Sequence, residues 1–214
     1  MLEINREKSD LLLVSFGGLA HQVGFPIPEF KRILKPVKTN KAFFVDKHRC
    51  WYYKTREQVK EKILEMFEDI KPRKVIFFGV SAGGYAAILY GTMFNVDRVL
   101  AFNPQSFLSP KFRKKYHDNR WPEQIKDVYK YSKGYPLELW DYDVAGKTVI
   151  EILYCQNYEK YRVHSEQLKK RTKEFNIIMH PYQCPNSAIA KNLRDSGDLL
   201  QIFSNRINIL RNEP

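Results

Sequence analysis

A serine stands between two glycines in the segment FGVSAGG, where Gly79, Ser81 and Gly83 form a Gly-x-Ser-x-Gly pattern. An apolar, β-branched run precedes this pattern and a run of small residues follows it, so Ser81 falls between a predicted strand and a predicted helix. In that context the pattern indicates a tight, strained turn that lifts a serine hydroxyl above a sheet. The chemistry open to such a serine is attack on an ester or acyl carbonyl.

Attack on a carbonyl creates a negatively charged oxygen, which needs hydrogen-bond donors. The amide of Ala82 would lie at the start of the helix that follows Ser81. The loop SFGGLAH, after the first apolar run, offers a second amide from Gly18 or Leu19, because its glycines allow a close backbone approach. The alternative is that both segments are plain glycine-rich turns. The Ser81 turn could then be a phosphate site, although it lacks the lysine of a P-loop.

Six apolar runs alternate with helix-like segments along the chain. The predicted strands cover 11–16, 41–46, 74–80, 98–103, 148–154 and 175–181, and the predicted helices cover 54–70, 83–95, 161–174 and 186–203. This alternation predicts an α/β fold: a three-layer sandwich of about six parallel strands with helices on both faces. Residues 1–214 are expected to form a single domain. A basic, aromatic insertion at about 106–146, with one helix near 121–131, would cover the carboxyl edge of the sheet.

Several segments resemble a group of compact α/β-hydrolase-fold proteins that are often found beside glycan-processing and capsule-type functions. The segments are FFGVSAGGYAAILYG, NVDRVLAFNPQSF, LLVSFGG, GFPIPEF, FFVDKHRCWYY, VHSEQL and HPYQC with LRDSGDL, which together span roughly 11–200. The resemblance implies a sheet in the spatial order second, first, third, fourth, fifth and sixth strand. It also implies that Ser81 is the nucleophile of esterase or acyl-transfer chemistry.

The other two members of a serine triad are not where the resemblance places them. In this fold an Asp or Glu follows the fifth of these strands and a His follows the sixth. The acid would fall near Tyr158, which carries no carboxylate, although the adjacent Glu159 could substitute. The base would fall at Ser187, whose hydroxyl cannot take a proton as an imidazole does.

Other residues could supply the missing functions. His180, at the end of the sixth predicted strand, is the candidate catalytic base, and His21, after the glycine loop, could line the pocket or act as base. His164 could orient a ligand. Asp46, at the end of the second strand near Trp51, could pair with a base or shape the pocket.

Three hypotheses follow from the incomplete triad. A relocated base completes a non-standard pair with Ser81, or the last loop has been placed wrongly, or the chain is a catalytically degenerate hydrolase that keeps its pocket for binding. An active protein would act on a small-molecule or glycan ester. A degenerate one would bind an anionic ligand or partner.

Charge and cysteine content limit which partners, locations and cofactors the chain can have. The formal net charge of +12 suggests an anionic partner. Nucleic acid is possible, but no nucleic-acid-binding motif supports it. Three cysteines are too few for a disulfide scaffold and favour a reducing, cytoplasmic location. No apolar run reaches the ~18 residues of a membrane span. No His/Cys cluster suggests zinc, so we expect no metal and no cofactor.

Overall fold

The computed structural model describes residues 2–19, 30–142, 146–172 and 174–213. Seven strands form one sheet in the order β1-β3-β2-β4-β5-β6-β7. Their bounds are β1 Leu2–Asn5, β2 Leu11–Phe16, β3 Asn40–Phe44, β4 Lys74–Val80, β5 Arg98–Phe102, β6 Val149–Cys155 and β7 Asn176–Tyr182. Strands β2 to β7 are parallel, and β1 pairs antiparallel with β3.

The parallel sheet confirms the predicted α/β sandwich and its strand order, with one addition. The edge strand β1 has the sequence LEIN and is half-buried along its length. An edge strand buries little surface, so its sequence need not be apolar. The four residues of β1 alternate between apolar and polar or charged types and form no apolar run. The sequence prediction therefore missed it.

Helices cover both faces of the sheet. They are α1 Arg56–Ile70, α2 Ala82–Met93, α3 Pro110–Lys115, α4 Pro122–Tyr131, α5 Glu159–Arg171, α6 Ile189–Asp195 and α7 Asp198–Asn212. The single helix predicted for 186–203 is wrong, because α6 and α7 are separate there. Gly197 adopts a φ of 85° between them, a conformation that ends one helix and that glycine adopts at no steric cost.

Two hydrophobic cores result, one on each face. Helices α1, α2 and α5 share a core with one set of sheet residues, and the insertion adds Leu108, Ile125, Val128 and Leu139 to it. Helices α6 and α7 pack on the other face around Phe203. The insertion thus shares the core of the sheet. Its two ends meet where Phe107 pairs with Glu138 and Leu139 N–H donates to Ser106 O at 2.9 Å.

The cysteines depart from expectation. Cys155, the last residue of β6, forms a disulfide with Cys184, which follows β7, and Cys50 is buried and free. Because disulfides are rare in reducing compartments, the expected cytoplasmic location loses the support it drew from the cysteine count. Among the described residues, no helix has the length and apolarity needed to cross a bilayer.

Candidate functional site

Ser81 lies on a strained turn between β4 and α2. Its φ of 56° and ψ of −114° are unusual for a residue with a side chain. The turn is held on both sides, since Ser81 N–H donates to Phe102 O at 2.9 Å and Ser81 O accepts from Tyr85 N–H at 3.0 Å. The surrounding structure therefore fixes the direction in which the Ser81 hydroxyl emerges.

The two glycines of the pattern are required by close backbone contacts. A Cβ on Gly79 would collide with the backbone of Gly83 and would lie 2.7 Å from Phe16 O. A Cβ on Gly83 would also collide with Phe16 O. Only glycine fits at either position, and the loop that begins after Phe16 lies directly against the serine turn.

The candidate oxyanion donors lie on these two segments. Ala82 is the first residue of α2 and is buried, and an amide at that position has no carbonyl acceptor within its own helix. Leu19 is also buried, and its carbonyl accepts from Arg49 Nε at 3.1 Å. The Tyr52 hydroxyl donates to Gly17 O at 3.0 Å and so anchors the residue before Gly18. These contacts hold the glycine loop beside Ala82.

The hydrogen-bond partner of Ser81 is a residue that the sequence analysis missed. Ser81 Oγ donates to Gln105 Oε1 at 3.0 Å, and Trp51 Nε1 donates to the same oxygen at 3.1 Å. The indole N–H can only donate, so it fixes which way the carboxamide of Gln105 points. The Ser81 proton therefore faces a neutral amide oxygen, which is not a base near neutral pH.

The carboxamide nitrogen of Gln105 differs from its oxygen in this respect. Gln105 is fully buried, and its Nε2 makes no hydrogen bond to the part of the chain that the structure describes. This nitrogen shares a carbon with Oε1, so it lies within a few ångströms of Ser81 Oγ. A buried, unpaired donor is unfavourable unless a ligand or water accepts from it. The site therefore offers an unsatisfied donor beside the serine.

Asp46 supports the site from a distance. Its carboxylate accepts from three backbone amides: His48 at 3.0 Å, Cys50 at 2.8 Å and Tyr52 at 2.9 Å. These bonds hold a loop in which Trp51 has a φ of 52°. Asp46 thus fixes the position of the indole that orients Gln105, and in this way it shapes the site without a bond to a base.

The structure does not bring His180 and Ser81 together, since each has another partner. His180 Nε2 lies 2.8 Å from Glu151 Oε2, in a buried cluster where Arg98 and Arg206 also bind Glu151, each at 2.6 Å. Burial alone would raise the pKa of Glu151, but hydrogen bonds from His180 and the two arginines hold that pKa well below its usual range. His180 therefore belongs to an ionic cluster within the β6–β7 half of the molecule.

His164 is likewise engaged at both ring nitrogens. Nδ1 accepts from Ser106 N–H at 3.0 Å and Nε2 lies 2.9 Å from Asp118 Oδ2, so Nε2 carries the proton. The ring stacks on Phe107 with centroids 3.8 Å apart. Burial lowers the pKa of His164 to about 4. Neither nitrogen is open to a ligand, and the side chain ties α5 to the insertion.

Of the remaining candidates, Glu159 and Ser187 are both exposed. Glu159 is exposed at the start of α5, and the adjacent Tyr158 hydroxyl donates to Pro185 O at 3.2 Å. Ser187 is exposed, and its carbonyl accepts from Asn103 Nδ2 at 3.0 Å, which ties its loop to the end of β5. His21 lies outside the described residues. Within those residues, no group of three or more His, Cys, Asp or Glu side chains could hold a metal ion.

Comparisons with known proteins bear on the fold. No protein-family model and no curated protein matches the sequence. Among solved structures, the capsule O-acetyltransferase of Neisseria meningitidis serogroup A is 15% identical, with a TM-score of 0.71 over 94% of this chain and 90% of that one. Mouse α/β hydrolase domain-containing protein 10 is 13% identical, with a TM-score of 0.65 over 98% and 94%.

An esterase has a similar structure at comparable coverage. A thermophilic esterase from Thermogutta terrifontis, with butyrate bound, is 17% identical, with a TM-score of 0.59 over 97% of this chain and 88% of that one. At these identities the likeness concerns the fold and not the activity. Strand order, helices on both faces and these neighbours together show that the chain has an α/β-hydrolase-type fold.

Proposed function

We propose that this chain binds an ester or acyl group at the Ser81 turn and that its site holds this group without efficient turnover. The observation that carries the proposal is the hydrogen bond from Ser81 Oγ to the neutral oxygen of Gln105. A serine hydroxyl is a weak nucleophile unless a neighbouring base accepts its proton. Among the described residues, the acceptor in that position is an amide.

The bound group would be recognised by donors that converge on one carbonyl. Its oxygen would accept from the Ala82 amide and from the Gly18 or Leu19 amide, while Ser81 Oγ faces the carbonyl carbon. The unpaired Nε2 of Gln105 would donate to a second acceptor of the ligand. An acyl group attached to a sugar meets both requirements, because it has a carbonyl oxygen for the amides and a further oxygen for Gln105 Nε2.

Acyl transfer with Ser81 as nucleophile is the second candidate. The strained φ of Ser81 and the close glycine contacts favour it, because such strain persists where the structure around it is specific. The capsule O-acetyltransferase has this fold, and a mutant of it was solved with CoA. In this reaction Ser81 Oγ would bond to the acyl carbon, its proton would pass to a base such as His21, and the leaving oxygen would receive that proton. Water or a sugar hydroxyl would then release the acyl group.

Labelling with a fluorophosphonate distinguishes the two candidates. The probe forms a bond between phosphorus and an activated serine oxygen and releases fluoride, so intact mass reports a single adduct. We expect no adduct on the wild type at pH 7 while circular dichroism shows a folded protein. An adduct that is lost in Ser81→Ala would instead show that Ser81 is activated, which favours acyl transfer. His21→Ala would then test the base, and His180→Ala, whose ring is bound to Glu151, should label like the wild type.

A further inference from the structure

A cavity of about 620 Å³ lies at the edge of the sheet opposite Ser81. It is bordered by the starts of the parallel strands, since Lys41 lies near the beginning of β3, whereas Ser81 follows the end of β4. Five of its lining side chains are basic and one is acidic: Lys31, Arg32, Lys35, Lys38, Lys41 and Glu7. The cavity is therefore separate from the serine site and strongly positive.

Only some of this positive charge is neutralised within the chain. Lys31 Nζ lies 2.6 Å from Glu3, and Lys38 Nζ lies 3.9 Å from Glu7. Arg32 and Lys35 are exposed, and neither has a carboxylate within 4.0 Å in the described part of the chain. Two cations therefore face the cavity without a counter-ion among the described residues.

Lys41 adds a cation in a position where a charge is costly. Its side chain is buried, and Nζ donates to Val37 O at 2.6 Å and Thr39 O at 2.8 Å. Burial lowers the pKa of Lys41, with Glu7 opposing this change. A bound anion would offset the cost of burying this ammonium group, because an opposite charge nearby favours the charged form.

We propose that this cavity binds the phosphate chain of an oligophosphate. Its volume is that of a small-molecule site, and a chain of linked phosphates would supply the charge that Arg32, Lys35 and Lys41 lack. The described residues of the lining include no aromatic side chain on which a base could stack. The recognised part is thus the phosphates, whether they come from inorganic triphosphate or from a nucleoside triphosphate.

Isothermal titration calorimetry with inorganic triphosphate tests the proposal. We expect the wild type to bind, and Arg32→Ala/Lys35→Ala to weaken binding at least about tenfold, since each phosphate contact contributes to affinity. The matched control is Lys114→Ala/Lys133→Ala, which removes two exposed cations elsewhere and should leave binding unchanged. Adenosine triphosphate should bind with an affinity similar to that of inorganic triphosphate.

Four results would overturn the proposal. They are no binding by the wild type, equal losses in both double variants, a strong preference for the nucleotide, and tighter binding of single-stranded RNA that depends on Arg32 and Lys35. Circular dichroism checks that the variants are folded, and all four substituted positions are exposed. The Ser81→Ala variant should bind triphosphate like the wild type, so this test is independent of the serine site.

Discussion

Gln105 is the single residue on which the serine site depends most directly. Its Oε1 accepts from both Ser81 and Trp51, and Trp51 is almost fully buried. We expect Gln105→Leu to lower the free energy of unfolding by about 1–3 kcal/mol, because the indole N–H would lose its acceptor in a buried position. Urea denaturation followed by tryptophan fluorescence measures this change.

Two further variants make the Gln105 prediction specific. Trp51→Phe removes the indole donor, so Gln105→Leu should cost less in that background than in the wild type. Gln183→Leu replaces an exposed glutamine and should change stability by less than about 0.5 kcal/mol. Equal stability of Gln105→Leu and the wild type would mean that the Trp51 and Ser81 hydrogen bonds contribute nothing net.

Ser187 allows a gain-of-function test of the proposal that the Ser81 site lacks a base. Its loop is tied to the end of β5 through Asn103, and β5 is the strand next to β4, which ends at the serine turn. If the loop faces Ser81 as the fold resemblance implies, Ser187→His would supply a base. We expect a fluorophosphonate adduct on this variant where the wild type gives none, at a rate at least about 100-fold above the wild-type detection limit, the lower range for general-base catalysis.

Two controls test whether any labelling comes from Ser81 activated by the new histidine. Ser187→Ala should label no faster than the wild type, because an alanine cannot accept a proton. Ser187→His/Ser81→Ala should not be labelled at the serine turn at all. If Ser187→His folds and stays unlabelled, the loop does not present position 187 to Ser81, and the placement of the base by resemblance is wrong.

The sequence shows the serine but not its partner, for a physical reason. Gly79 and Gly83 are visible because a local steric constraint requires small residues at fixed spacing around Ser81. Gln105 contacts Trp51 across 54 residues, and no spacing rule connects an amide to an indole. The one available signal was its place after the fourth predicted strand, at the sheet edge where functional residues gather.

At the level of elements, the disulfide joins the end of β6 to the segment after β7. Cys155 and Cys184 are 29 residues apart in sequence. A loop of this length predicts a loss of about 3.6 kcal/mol in the free energy of unfolding when the bond is absent, by the chain-entropy model. We expect Cys155→Ala/Cys184→Ala to show this loss in chemical denaturation under non-reducing conditions.

A reductant provides the control for the disulfide prediction. Dithiothreitol should lower the stability of the wild type toward that of the double variant, and it should leave the double variant unchanged. Cys50→Ala tests whether any buried cysteine gives the same effect, since Cys50 is free. A wild type that is equally stable with and without reductant would show that the bond contributes nothing to stability.

Elements are predictable where a local sequence pattern specifies them. They are missed where tertiary contacts determine whether they form. The buried strands β2 and β4 read directly from LLLVSF and KVIFFGV, since both are apolar throughout. Strand β1 forms only because β3 offers it an edge. The Cys155–Cys184 pair depends on the parallel register of β6 and β7. The number of cysteines in the sequence does not reveal that register.

At the scale of the whole molecule, a buried ionic cluster connects the insertion to the sheet domain. Asp118, in the insertion, is held by Arg120 at 2.8 Å and by His164 of α5 at 2.9 Å. Burial alone would raise the pKa of Asp118, but these hydrogen bonds hold it well below its usual range. The backbone of Ser106, next to Gln105, is bonded to the same histidine. Protonation of His164 would therefore disturb the segment that contacts Ser81.

This cluster predicts that the protein loses stability in mild acid. In the unfolded chain a histidine gains its proton near pH 6.5, whereas folded His164 stays neutral down to about pH 4. The unfolded state therefore binds the extra proton across this interval, and the free energy of unfolding falls as the pH falls from about 6.5 to about 4. At about 1.36 kcal/mol for each pH unit, His164 accounts for a loss of about 3 kcal/mol.

Urea denaturation at a series of pH values tests this loss against two variants. His164→Gln cannot titrate, so its stability, though lower at neutral pH, should be nearly independent of pH between about 6.5 and 5. His117→Gln removes an exposed histidine and should keep the wild-type dependence. Below about pH 5 all three proteins should lose further stability, because Asp118 and Glu151 stay ionised in the fold whereas the unfolded chain binds protons at these carboxylates. If His164→Gln loses stability between about pH 6.5 and 5 as steeply as the wild type, another group controls the acid response, and the neutral His164 that holds the Ser106 backbone is not its origin.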